Sequence, residues 1–115
     1  MEPQHVVFLL LAGHFFGDYA FQSAFIACGK NRKKPLEGTS WFHPMLAHCY
    51  IHGTFVYFFT GGCLTLALLE IVCHFAIDDA KCNGRFGEHV DQALHIGCKL
   101  LWALLLFQFK DYLPW

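Results

Sequence analysis

The sequence predicts an all-α protein, a four-helix transmembrane bundle of up-down-up-down topology with a polar His/Asp layer near its cytoplasmic side. Three observations lead to this prediction. Of the 115 residues, 56% are hydrophobic and only 15% are charged, with a mean hydropathy of +0.39. The apolar residues form four stretches, and each stretch contains regularly spaced His or Asp. Soluble domains carry about 25% charged residues, so this chain is short of polar groups for a surface in water.

The composition also excludes some classes of protein. The apolar content is too high for a disordered chain. The formal net charge is −1, so no basic excess is available to neutralise phosphates, and nucleic-acid binding by bulk charge is not expected. The length suits one domain, which we assign to residues 1–115 as a single integral membrane domain.

The four stretches cover approximately residues 5–27, 44–60, 63–80 and 88–110. Each has about 17 to 25 residues, the length that a helix needs to cross about 30 Å of hydrocarbon. The first stretch has no basic segment before it and contains Asp18, so we do not expect a cleaved signal peptide. Buried helices of a soluble bundle could share this composition, but they need a polar outer stripe that these stretches lack.

The basic residues predict the orientation in the membrane. Six of the eight Lys and Arg residues lie after the first stretch or before the fourth: Lys30, Arg32, Lys33, Lys34, Lys81 and Arg85. In an up-down-up-down bundle these two loops share one side. Cytoplasmic loops carry an excess of Lys and Arg. We therefore expect a multi-pass protein of the inner (cytoplasmic) membrane with both termini outside.

Every stretch carries one pair of ionisable residues spaced by four. The pairs are His14 and Asp18, His48 and His52, His74 and Asp78, and Asp91 and His95. Residues four apart lie on one face of a helix, and a rise of 1.5 Å per residue brings the pairs to a common layer toward the cytoplasmic end. Ionisable groups within a membrane are rare and commonly functional.

These eight residues are the predicted ligands of a divalent transition metal. Imidazole together with carboxylate suits Zn, Mn or Fe, as one or two ions, and four-helix bundles are known hosts for dimetal sites. Such a site can generate hydroxide and polarise a phosphoryl oxygen. The candidate catalytic carboxylates, one of them as a general base, are Asp18, Asp78 and Asp91. The weaker candidates for substrate contacts are Gln22, Gln92 and Lys30.

Four segments, HFFGDYAFQS, HCYIHG, HFAIDDAK and DQALH, occur in this order over nearly the whole chain. They resemble the DUF3307 family of bacterial and phage integral membrane proteins, whose pattern is H-x-x-x-D-x-x-x-Q, a histidine pair, H-F-x-I-D and D-Q-x-x-H. This resemblance implies a membrane fold and leaves the activity open. A looser similarity to the YdjM-like (DUF457) inner-membrane proteins, described as predicted metal-dependent hydrolases, would imply phosphoester hydrolysis.

We therefore expect a membrane metal-binding protein that acts as a hydrolase on a phosphorylated lipid- or nucleotide-like substrate. Two alternatives stay open. The polar residues could be structural hydrogen-bonded pairs, or an ion or proton site in a non-enzymatic effector, pore or transporter subunit. Haem is less well supported, because it needs two axial histidines and no carboxylates. The expected partners are the lipid bilayer and a second copy of the chain or a host membrane protein.

Overall fold

Helices follow the apolar stretches of the sequence in the computed structural model, which describes residues 1–114. The five α-helices are α1 (Pro3–Phe15), α2 (Ala24–Gly29), α3 (Phe42–Phe59), α4 (Leu64–Cys82) and α5 (Glu88–Phe109). No strand occurs among the described residues. The prediction of an all-α protein is therefore confirmed.

The first apolar stretch, predicted as one span over residues 5–27, is interrupted. After α1 the chain continues as a π-helical turn over Phe16–Ala20. Ser23 then begins the short α2, where its side-chain oxygen accepts a hydrogen bond from the backbone N–H of Ile26 at 3.2 Å. Single π-helical turns occur frequently at functional sites, and this one contains Asp18.

The four longer helices form a bundle. α1 contacts α3 and α5, and α4 contacts the same two helices. Gly61 and Gly62 lie in the connection between α3 and α4 with φ of +76° and +94°, a backbone conformation that glycine adopts at little cost. This tight connection lets α4 return along α3, the pair with the most extensive contact in the bundle.

The interior of the bundle has an apolar half and a polar half. The apolar half is a cluster of buried side chains near the chain termini and the α3–α4 connection: Val6, Leu10, Val56, Cys63, Leu66, Trp102, Ala103 and Leu106. The polar half lies toward the opposite end, near the 30–41 loop and the α4–α5 turn. Most of the buried ionisable residues of the chain lie there.

The outer surface of all four long helices presents large apolar side chains. Phe8, Phe58, Val72 and Leu104 are 70%, 68%, 66% and 54% exposed. Among residues 1–114, however, only α5 is long and apolar enough by itself to cross a membrane, so the predicted four-span bundle is not supported by the single helices. α1 has only 13 residues, and the histidines of α3 and the charged residues of α4 lower the mean hydropathy of these two helices.

Candidate metal centre

All eight predicted ligands lie together in the polar half of the bundle. α1 and its π-helical turn, α3, α4 and α5 each contribute one pair, because the spacing of four turns both members toward the bundle interior. Their exposed fractions are between 0 and 8%. We call this group the His/Asp cluster: His14, Asp18, His48, His52, His74, Asp78, Asp91 and His95.

Four ligand atoms of the cluster form a compact set, which we call site A: Asp18 Oδ1, His48 Nε2, His74 Nε2 and Asp78 Oδ2. His48 Nε2 lies 3.3 Å from each of the two oxygens and 3.2 Å from His74 Nε2. His74 Nε2 lies 3.7 and 3.6 Å from the same oxygens. Ligand atoms of a tetrahedral zinc ion, with bonds of about 2.0–2.2 Å, are separated by about 3.3–3.6 Å. Five of the six separations in site A are therefore close to those of a four-ligand metal site. Asp18, His48 and His74 also form, with His52, a group whose ligand atoms all lie within 4.8 Å of one another.

The other oxygens of Asp18 and Asp78 face a second group of ligands, which we call site B. Asp78 Oδ1 lies 2.9 Å from His95 Nε2, and His95 Nε2 lies 3.3 Å from Asp91 Oδ1. Asp18 Oδ2 lies 3.7 Å from His14 Nε2. Asp18, Asp91 and His95 also offer ligand atoms within 4.8 Å of one another. The two aspartates thus lie between sites A and B, where carboxylates can bridge two ions.

Several buried polar atoms of the cluster have no hydrogen-bond partner, including Asp18 Oδ1, Asp91 Oδ1 and both ring nitrogens of His52. His52 Nε2 lies 2.9 Å from Asp18 Oδ1, but the two atoms lack hydrogen-bond geometry. Buried polar atoms without partners are costly. An ion would satisfy such atoms, so the donor set fits a divalent metal.

Gln92, predicted as a substrate contact, connects three members of the cluster. Its side-chain NH₂ donates to Asp18 Oδ2 at 2.9 Å and to Asp91 Oδ2 at 3.2 Å. Its oxygen accepts a hydrogen bond from His14 Nε2 at 2.8 Å. In this arrangement Gln92 orients two carboxylates, and His14 contacts Gln92 more closely than it contacts the aspartate oxygens of site B.

The two other predicted substrate contacts, Lys30 and Gln22, hold the Asp78 carboxylate and the backbone of Asp18. Lys30 Nζ donates to Asp78 Oδ2 at 2.6 Å, and Gln22 Nε2 donates to the backbone carbonyl of Asp18 at 2.7 Å. Lys30 is therefore a close cationic neighbour of site A. Gln22 stabilises the π-helical turn that carries Asp18.

A polar mouth connects the cluster with the surface. It is a cavity of about 60 Å³ whose wall includes the three aspartates of the cluster, both glutamines and two lysines, Lys30 and Lys81. Lys81 lies one residue beyond the predicted 63–80 stretch. Burial alone would lower the pKa of Lys81, but the Asp91 carboxylate, 3.5 Å from its Nζ, outweighs burial and raises this pKa. Lys81 therefore keeps its positive charge beside the carboxylates of the mouth.

Sequence reasoning did not assign Glu70, Lys99 and Trp102 to the site, yet all three are buried next to it. Glu70 Oε1 lies 3.2 Å from His74 Nδ1 and accepts a hydrogen bond from Lys99 Nζ at 2.5 Å, while Glu70 Oε2 accepts one from Trp102 Nε1 at 2.6 Å. A signal was present in the sequence. Glu70 precedes His74 by four residues and Lys99 follows His95 by four, so each extends a ligand pair by one turn.

The comparisons with known proteins give one match. A family model described as "Protein of unknown function (DUF3307)" matches residues 6–113. No curated protein and no solved structure matches the chain. The matched range contains the whole His/Asp cluster together with Glu70, Lys99 and Trp102. The family description names no activity.

Proposed function

The chain belongs to the DUF3307 family, and we propose that it is an integral membrane protein whose His/Asp cluster binds two divalent metal ions and hydrolyses a phosphorylated substrate. One observation carries the proposal. Asp18 and Asp78 each direct one oxygen to site A and the other toward site B, and histidines converge on both sides. Hydrogen-bonded structural pairs would not leave Asp18 Oδ1 and Asp91 Oδ1 without a hydrogen bond, although histidine nitrogens lie 2.9–3.3 Å from these oxygens.

The chemistry of the ligands indicates which ions are suitable. Site A would be formed by His48, His74 and the two bridging aspartates, and site B by His95, Asp91 and the same aspartates. Imidazole and carboxylate together suit Zn, Mn or Fe. The hydrogen bonds of Gln92 to Asp18 and Asp91 would orient these ligands, as outer hydrogen bonds do in metal sites generally.

The charges of the site favour an anionic substrate. With neutral histidines, the three aspartates of the cluster, Glu88 in the wall of the mouth and the two lysines there leave two net negative charges. Two divalent ions would turn this into an excess of two positive charges in a largely buried site, which is unfavourable without a counter-ion. A phosphoryl group would supply that negative charge.

The residues of the chain have distinct roles in this proposal. A divalent ion held by the cluster would supply two kinds of chemistry, a lowered pKa of water and the polarisation of a phosphoryl oxygen. Lys30 and Lys81 attract the anion to the mouth and hydrogen-bond its oxygens. Asp91 also lines the mouth, where its Oδ2 lies 3.5 Å from Lys81 Nζ, and this oxygen is the candidate general base. Gln92 holds Asp91 in position.

The distribution of side chains supports the membrane location. In soluble proteins Asp, Glu and Lys are almost never fully buried unless they are paired, and large exposed apolar patches are rare. Here the polar residues fill half of the interior while large apolar side chains cover the outside. At 1.5 Å per residue, α1 with its π-helical turn, α3, α4 and α5 are about 27–33 Å long, close to the hydrocarbon thickness of about 30 Å.

The apolar half of the interior argues against a conducting path through one chain. The cluster that contains Leu10, Leu66 and Trp102 fills the bundle beyond the polar half. Among the described residues, the His/Asp cluster therefore opens toward one end only. This favours a binding site over the pore and transporter alternatives.

Elemental analysis of detergent-purified protein tests the metal site. We expect two transition-metal ions per chain in the wild type, a loss of both in Asp18→Ala, and a loss of one in His95→Ala. Asp79→Ala is the matched control, because Asp79 follows Asp78 but pairs with Arg32 at the surface; it should retain both ions. A wild-type protein that contains no stoichiometric metal, and gains none on reconstitution, would refute the proposal.

Hydrolysis is tested separately with the metal-loaded protein. Release of phosphate or alcohol from soluble and lipid-linked phosphoesters should occur in the wild type and Asp79→Ala, and should be lost in Asp91→Asn. If the protein binds metal but hydrolyses no phosphoester, the proposed metal site stands and the proposed hydrolase activity is refuted.

A further inference from the structure

A second buried polar group adjoins the His/Asp cluster on its apolar side. It consists of Glu70 on α4 with Lys99 and Trp102 on α5, and we call it the Glu70 network. Their exposed fractions are 1%, 2% and 3%. None of the three contributes an atom to site A or site B.

The hydrogen-bond partners of Glu70 determine which ring nitrogen of His74 carries the proton. The Lys99 ammonium and the Trp102 indole N–H can only donate hydrogen bonds, and Glu70 accepts one from each. An ionised carboxylate has no proton to give, so the 3.2 Å contact between Glu70 Oε1 and His74 Nδ1 requires the proton to be on the imidazole nitrogen. In neutral imidazole, Nε2 of His74 then carries the lone pair.

That lone pair lies where the metal site needs it. His74 Nε2 is the atom 3.2 Å from His48 Nε2 and 3.6–3.7 Å from the carboxylate oxygens of site A. Resting on the proposed metal function, we propose that the Glu70 network is a positioning device that holds His74 in its Nδ1–H form with Nε2 unprotonated toward site A.

Stability alone does not account for the network. Burying an ion pair costs about as much in desolvation as the attraction returns, so apolar side chains of similar volume would serve the fold equally well. Lys99 neutralises Glu70, and Trp102 occupies the second carboxylate oxygen. These two contacts fix the orientation of the Glu70 carboxylate, so that Oε1 faces His74. Metal-ligating histidines are commonly oriented by a carboxylate in this way.

The tautomer can be measured without metal. In metal-free protein labelled with ¹⁵N-histidine, at a pH where imidazole is neutral, His74 should show a protonated Nδ1 and an unprotonated Nε2; its signals are assigned by their loss in His74→Gln. The double variant Glu70→Leu/Lys99→Met removes both charges together and should lose this preference. The control Arg32→Gln/Asp79→Asn removes an exposed ion pair that also involves α4 and should keep it. A wild-type His74 protonated at Nε2 would overturn the inference.

Metal affinity gives the second readout. Loss of an outer hydrogen bond to a ligand weakens metal binding by about 10- to 100-fold, which we expect for Glu70→Leu/Lys99→Met. Glu70→Gln/Lys99→Met retains an acceptor oxygen and should recover most of the affinity, whereas a fold-supporting role would not distinguish the two variants. If the wild type binds no metal yet shows the Nδ1–H tautomer, the proposed function fails while the positioning of His74 stands.

Discussion

Lys30 and a metal ion in site A would share one oxygen. Lys30 Nζ lies 2.6 Å from Asp78 Oδ2, and the same oxygen lies 3.3 Å from His48 Nε2. The ammonium therefore neutralises Asp78 when no metal is present and repels a cation that binds there. Unit charges about 4 Å apart interact by roughly 4 kcal/mol at an effective dielectric constant of 20, so this repulsion is large enough to change metal affinity.

We therefore predict that Lys30→Met tightens divalent metal binding by about 10-fold or more, equivalent to at least about 1.4 kcal/mol, and raises KM for a phosphoester. Competition with a chromophoric chelator measures the affinity. Lys34→Met is the control, because Lys34 is exposed in the 30–41 loop and carries the same charge. Weaker binding in Lys30→Met would show that Lys30 holds Asp78 in place more than it repels the ion.

Gly17 determines how closely the π-helical turn approaches His52. A Cβ atom at this position would lie 2.5 Å from His52 Nε2, which is closer than atoms can pack. Gly17→Ala should therefore displace His52 or the turn that carries Asp18, and lower both metal affinity and the unfolding temperature. Gly97→Ala is the matched control, since a Cβ there meets no atom within 4 Å and helical Ala is favoured over Gly by about 1 kcal/mol. Equal behaviour of the two variants would contradict this role for Gly17.

At the scale of helices, the sequence predicts the positions of three of the four long helices. α3, α4 and α5 lie within a few residues of the apolar stretches 44–60, 63–80 and 88–110, because apolar runs and the glycines of the connections are local features. The end of α1 is different. The π-helical turn depends on the fit of Gly17 against His52, which is a tertiary contact. The hydrogen bond of Gln22 to the backbone carbonyl of Asp18, four residues earlier, supports the turn locally.

The candidate site also has a part that the sequence predicts and a part that depends on tertiary contacts. The spacing of four identifies the eight members of the His/Asp cluster, because each pair lies on one helical face. It does not tell which oxygen of Asp18 or Asp78 faces which histidine. Glu70 and Lys99 were missed because neither belongs to the pair pattern shared by the four stretches, although each extends a pair by one turn. Their function depends on α4 packing against α5.

The packing of α3 on α4 gives a prediction for these elements. A Cβ atom at Gly53 would lie 2.6 Å from Cγ1 of Ile71, so Gly53→Ala should force the two helices apart and lower stability by about 1–3 kcal/mol. Both helices carry ligands of site A, so metal affinity should fall as well. Ile71→Ala removes the clashing atoms, and the double variant should be less destabilised than the sum of the two single variants. Thermal unfolding in detergent measures this, and simple additivity would contradict it.

At the scale of the whole molecule, the apolar exterior and the polar interior have one physical explanation. In the proposed membrane location, hydrocarbon would solvate the exposed side chains of Phe8, Phe58 and Val72, and the charged groups would have their partners in the bundle interior, where intramembrane ionisable residues lie in general. α1, α3 and α4 then need not be strongly apolar around their whole circumference. This explains how a chain with one clear single-helix span can still be embedded in a membrane as a bundle.

The basic residues lie at one end of the bundle, and they predict its orientation across the membrane. Lys30, Arg32, Lys33 and Lys34 lie at the same end as the His/Asp cluster, as the contacts of Lys30 with Asp78 and of Arg32 with Asp79 show. Since cytoplasmic loops carry the excess of Lys and Arg, the mouth should face the cytoplasm and both termini the opposite side.

In a bacterial cell, the protein should resist alkaline carbonate extraction, and alkaline phosphatase fused to either terminus should be active, whereas fused green fluorescent protein should stay dark. Replacing Arg32, Lys33 and Lys34 by Gln should weaken this orientation, while Lys110→Gln should not. Extraction by carbonate would refute the membrane location, and fluorescent terminal fusions would refute the orientation alone.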